Sequence, residues 1–152
     1  MTTRPLRSRR TMVALLMAAG LGLAGMAHAA PDSLRAGNYT VHYNALSGDT
    51  LPLVSTRAYG LRHASDQGLV IITVNAGADA SRTSVPLTVA GHAATLLGHA
   101  VPIKVRYIND QSGHSALVTF TVSGSQSIRF DLDVTPQGAP TTQLQFVHTY
   151  KP

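Results

Sequence analysis

Ile128, Phe130, Leu132 and Val134 alternate strictly with Arg129, Asp131, Asp133 and Thr135. Apolar side chains at every second residue share one face of an extended chain, so residues 127–138 specify a strand with one buried face and one charged face. Pro136 and Gly138 end it, because proline donates no ladder hydrogen bond and glycine permits a turn. Most other segments repeat this half-buried pattern. Tyr39, Val41 and Tyr43 share a face over 38–45, and Leu144, Phe146, His148 and Tyr150 alternate near the end.

Between these, residues 68–75 are β-branched and almost continuously apolar, as in a central strand buried on both faces, with the opposite sheet on one side and loops on the other. Val85, Leu87 and Val89 alternate, but Pro86 makes that run an edge strand with a side open to a partner. Residues 91–99 read as irregular, with Leu96 and Leu97 plugging one end of the core. Over 101–108, Val101, Ile103, Val105 and Tyr107 point inward, and residues 109–113 form a hairpin loop before the returning strand at 115–123. Residues 31–37 read as a mobile lead-in, and 51–61 as either a strand or a short helical turn after Pro52. About seven or eight strands without a convincing helix predict an all-β antiparallel sandwich, with immunoglobulin-like topology first and a small closed barrel as the alternative.

The first 29 residues stand apart. Arg4, Arg7, Arg9 and Arg10 precede an apolar run over 12–26, and Ala27-His28-Ala29 provides a small-x-small cleavage site. This is the pattern of a secretory signal peptide rather than a membrane span, and it predicts a periplasmic protein cleaved after Ala29. The pair at Arg9 and Arg10 loosely resembles a twin-arginine signal, but ordinary unfolded export is the expectation. Residues 30–152 then form one domain.

Export changes the meaning of the charge. The whole chain carries +5, yet residues 30–152 hold eight Lys and Arg against seven Asp, so the basic balance belongs to the leader. No basic stripe remains for a nucleic acid. The mature segment has no Cys, Trp, Glu or Met. Disulfides, thiolate chemistry and thioether ligation are therefore impossible, and acid–base work by carboxylates falls to Asp alone.

Several short runs carry a resemblance. His42-Tyr43-Asn44-Ala45, Ala58-Tyr59-Gly60, Leu96-Leu97-Gly98 and the run from Arg129 to Val134 with Pro136 and Gly138 occur in one order. Together with the ending from Phe146 to Tyr150, they resemble a bacterial family of small secreted proteins known as domain of unknown function 4426. The resemblance implies an exported β-sandwich and no assigned activity. The chain departs from the family pattern at His63, Ala64, His99, Asn109 and Asp110.

Three constellations could carry function. Tyr43, Asn44, Tyr59 and Arg62 are residue types that line recognition surfaces, although buried structural tyrosines account for them equally. Arg129, Asp131 and Asp133 line one strand face, where they could meet a cation or basic residues opposite; a solvated face is the plainer account. Six histidines follow the leader without His-x-His or His-x-x-x-His spacing. Only cross-strand assembly, with His42 and His148 as candidates, could make a zinc or Cu(II) site. No nucleophile elbow, phosphate loop or zinc-hydrolase motif is present. The expectation is a non-catalytic module without a cofactor that binds another envelope protein or component. Metal handling is the alternative, and a small hydrolase a more distant one.

Overall fold

The computed structural model describes residues 32–77 and 83–151; the leader and its cleavage site lie outside the described residues. Ten strands follow in chain order: β1 (Asp32–Ala36), β2 (Tyr39–Ser47), β3 (Gln67–Ala76), β4 (Thr83–Ser84), β5 (Leu87–Thr95), β6 (Ala100–Val101), β7 (Lys104–Asp110), β8 (Gly113–Thr121), β9 (Gln126–Pro136) and β10 (Thr142–Tyr150). A short helix, α1 (Leu53–Ala58), lies between β2 and β3.

The strands form two antiparallel sheets that face each other. The first has the order β1-β2-β3-β8-β7, with β4 also paired to β3; the second has the order β10-β9-β5-β6. The sandwich expectation therefore holds, and the sheets do not close into a barrel. Among the described residues, no helix is long and apolar enough to cross a membrane.

The alternation over 127–138 becomes β9, held between β5 and β10. Ile128, Phe130, Leu132 and Val134 are each 0% exposed and face Val41, Val70, Ile72, Val74 and Val118 of the first sheet. Aromatic rings fill the middle of this layer. Phe130 stacks on Phe146 at 4.8 Å between centroids, and Phe120 lies 5.3 Å from both Phe130 and Tyr150. The Tyr150 hydroxyl donates to the Leu69 carbonyl at 3.4 Å, linking the two sheets at one end.

β3 is fully buried on its inner face, while its outer face is buried at Leu69 and half-buried at Ile71 and Thr73. The expectation of cover on both sides therefore holds fully only at its start. Val70, Ile72 and Val74 enter the core, while Leu69 lies on the outer side and is equally buried. Cover on that side comes from the connection over 48–66, which forms α1 after Pro52. Two side chains of β7 hold it down. Arg106 donates from Nη2 to the Tyr59 carbonyl at 2.6 Å and from Nη1 to the Gly60 carbonyl at 3.5 Å, and the Tyr59 hydroxyl donates to Asp110 at 3.1 Å. A guanidinium at the carbonyl end of a helix satisfies groups that have no partner within it.

The structure corrects four local expectations. The lead-in over 32–36 is ordered as β1, turned onto β2 at Gly37, with Leu34 packed on the core. The segment over 91–99 is not irregular: β5 continues to Thr95 because Gly91, at φ +136°, keeps the ladder opposite Leu132. Leu96 and Leu97 do not plug the core but stand outside it, at 60% and 85% exposure. Pro102 divides the 101–108 run, so β6 joins the second sheet and β7 the first.

The edge strand expected over 85–89 is present from Leu87. β9 pairs with β5 throughout, whereas β6 covers only Ala93 and Ala94 on its other side. Along that edge, Val89 does not lie open to a partner strand. The Tyr107 hydroxyl reaches across from β7, accepts from the Val89 N–H at 3.0 Å and donates to the Val89 carbonyl at 3.3 Å.

Candidate functional site

Period-two alternation in β9 aims Arg129, Asp131 and Asp133 away from the core, onto the outer face of the second sheet. Their surroundings follow from register. Asp131 stands opposite His92 on β5 and Gln145 on β10; Arg129 stands opposite Ala94 and Val147, and Asp133 opposite Ala90 and Gln143. Gln145 donates from Nε2 to Asp131 Oδ1 at 3.1 Å, and His92 Nε2 lies 3.9 Å from Asp131 Oδ2. A polar row of His92, Asp131 and Gln145 thus crosses three strands. Beside it a shallow depression of about 460 Å³ is lined by this row with Arg129 and Val147.

Val147 is 53% exposed within this polar field, and Ala90 and Ala94 keep the sheet surface low. Small residues beside hydrogen-bonding side chains form a flat surface that a second protein can approach closely. Among the described residues, no Ser or Thr hydroxyl is hydrogen-bonded to His92.

The four-residue tyrosine group is distributed rather than assembled. Tyr43 faces inward from β2, 4.5 Å from the Phe146 ring; burial and then the Asp32 carboxylate opposite it hold its phenol above the ordinary range. Asn44 is exposed on the outer side of the same strand. Tyr59 ends α1 above β7, and its bond to Asp110, with burial, raises its pKa. Arg62 pairs with Asp66 at 3.3 Å, while its backbone N–H donates to Gln67 Oε1 at 2.7 Å. These contacts secure the α1 connection.

The candidate metal pair is separated as well. His42 lies on the outer side of β2, in register with Thr73, whereas His148 lies on the inner side of β10 against the Tyr150 ring at 4.5 Å. Burial lowers the pKa of His148, partly offset by Asp32. Among the described residues, no group of three or more His, Asp, Glu or Cys side chains could hold a metal ion.

A second concavity, about 970 Å³, opens at the sandwich end opposite the β5–β6 turn. The start of β5, the β9–β10 turn, Asn109 and His114 line it. His92, Gln145 and Val147 carry no motif that sequence reading could single out, because only strand register sets them beside Asp131.

Comparison with known proteins agrees with this architecture. The family model of a domain of unknown function, DUF4426, matches residues 33–150. The fold is similar to that of the crystal structure of a DUF4426 family protein from Pseudomonas aeruginosa PAO1, with a TM-score of 0.69 and 24% sequence identity, covering 80% of this chain and 95% of that one. No curated protein matches the sequence. With its residues from β1 to the end of β10 matched in one unbroken span, the chain belongs to the DUF4426 family.

Proposed function

We propose that the mature chain is an exported, periplasmic, non-catalytic β-sandwich that binds another envelope protein through the outer face of its second sheet. The observation carrying this reading is the unequal treatment of the two outer faces. The first sheet carries the α1 connection strapped down by Arg106 and Tyr59. The second presents the cross-strand row His92, Asp131 and Gln145 with exposed Val147 and no covering segment among the described residues. Export rests on the leader pattern at 1–29.

Strand order supports an immunoglobulin-like reading. The order β2-β3-β8-β7 follows the A-B-E-D sheet of that topology, and β10-β9-β5 follows G-F-C, with β6 as an added short strand. The face assigned to binding is then the outer face of the G-F-C sheet.

Site-specific photocrosslinking in the periplasm tests this. A crosslinker at position 147 should give one discrete heavier species, lost on Asp131→Lys, while a crosslinker at the exposed position 44 should not. Equal adducts from both positions, or none from position 147, would defeat the assignment.

A further inference from the structure

The β5–β6 turn is built tightly yet carries two leucines at its tip. The Gly98 N–H donates to the Thr95 carbonyl at 2.9 Å, the Thr95 N–H donates to the His99 carbonyl at 2.9 Å, and the His99 N–H donates to Thr95 Oγ1 at 3.2 Å. Gly98 sits at φ +86°, so the connection is a hairpin turn closed by a left-handed glycine. Leu96 and Leu97 occupy its two central positions, where side chains cannot fold back onto either strand. They are 60% and 85% exposed. The hairpin connections at 37–38, 111–112 and 137–141 carry no large aliphatic side chain.

On the second sheet, the charge next to this tip is positive. The parts of that sheet nearest this end, 93–101, 126–130 and 146–151, contain no Asp or Glu, while Asp131 lies two residues beyond Arg129 on β9 and Asp66 belongs to the connection before β3. Arg129 stands opposite Ala94, one residue before the turn, and Lys104 follows β6 on the exposed start of β7. His99 lies within the turn itself. Two protruding leucines flanked by cations are complementary to a layer that is anionic at its surface and apolar beneath.

We propose that the tip formed by Leu96 and Leu97 inserts into the interfacial region of an anionic lipid bilayer, with Arg129 and Lys104 meeting the headgroups, so that this end of the sandwich docks on a membrane surface. A bilayer fits the tip better than a protein pocket. Leucine is under-represented among protein-interface hot spots. Insertion into lipid requires only apolar area and attraction between unlike charges. The proposal shares Arg129 with the outer-face reading but leaves His92, Asp131, Gln145 and Val147 free for a partner.

Vesicle co-sedimentation of the mature chain tests it, using phosphatidylglycerol–phosphatidylcholine vesicles beside phosphatidylcholine alone. Binding should favour the anionic vesicles and weaken as salt is raised. Leu97→Asp should lower partitioning by about tenfold or more, the scale expected for burying one leucine side chain. Lys104→Gln with Arg129→Gln should remove most of the anionic preference, at about fivefold for each cation. An unchanged circular dichroism spectrum and urea midpoint would show that the tip variant is folded. Failure of the wild-type chain to sediment, or partitioning indifferent to Leu97→Asp, would overturn the proposal. Self-association without vesicle binding, lost in Leu97→Asp, would also overturn it and assign the tip to a second copy.

Discussion

Tyr107→Phe isolates the device that closes the β5 edge. In an antiparallel ladder, alternate residues turn their N–H and C=O toward opposite neighbours, and Val89 turns both away from β9. They meet one phenolic oxygen from the facing sheet, at 3.0 Å and 3.3 Å. Phenylalanine keeps the ring and removes that oxygen alone. Two hydrogen bonds at about 0.5–1.5 kcal/mol each set the ceiling, and water reaching the half-exposed ring position recovers part, leaving a loss of about 1–2 kcal/mol. For a domain of this size that is a fall in Tm of roughly 3–8 °C. Urea denaturation followed by circular dichroism measures the loss. Hydrogen exchange locates it, since the Val89 amide should exchange about tenfold faster for each 1.4 kcal/mol by which its opening becomes easier. A freed edge also offers N–H and C=O groups to other chains, so the variant should aggregate sooner on heating. An unchanged urea midpoint together with unchanged Val89 exchange would refute the capping role of Tyr107.

Two further perturbations probe the core and its titration. In Gly68→Ala the new methyl would collide with the edge of the Phe120 ring; because Phe130 and Tyr150 hem that ring in at 5.3 Å, it cannot swing away. The expected cost is about 1–3 kcal/mol in urea denaturation, partly recovered by Phe120→Leu, and an unchanged midpoint would refute the packing argument. Burial holds the pKa of His148 below its ordinary value of 6.5, so between that value and the lowered one the unfolded chain binds more protons than the folded chain. Stability should therefore fall as pH drops through this window, and His148→Gln should make the urea midpoint less sensitive to pH there. A slope equal to that of the wild type would remove His148 from the acid response.

Several features were legible in the sequence because they depend only on local periodicity. The alternation at Ile128, Phe130, Leu132 and Val134 identified β9, its buried face and the outward course of Arg129, Asp131 and Asp133. The continuous apolar run over 68–75 identified the central strand β3, covered on both sides at Leu69 and Val70. What failed was whatever depends on breaks in the pattern. Pro86 and Pro102 mark the points where the chain changes sheet, which composition alone cannot distinguish from a turn or an edge. Leu96 and Leu97 were expected in the core because they are apolar, yet a three-residue hairpin holds its central side chains away from both strands.

The same division separates the candidate sites. Tyr43, Asn44, Tyr59 and Arg62 look alike as residue types, but the parity of β2 places Tyr43 inside and Asn44 outside, and α1 draws Tyr59 to Asp110. His42 and His148 are separated by the same parity. By itself the sequence determined two polar-and-apolar faces, the all-β sandwich and the single-sided charge of β9, because side-chain direction in a strand is a local consequence of backbone geometry. Only the tertiary structure decided that Asp131 meets His92 and Gln145, that Tyr107 closes the β5 edge and that the leucine turn stands free. Those contacts join residues 14, 18 or more positions apart, and register and sheet order, rather than any local preference, bring them together.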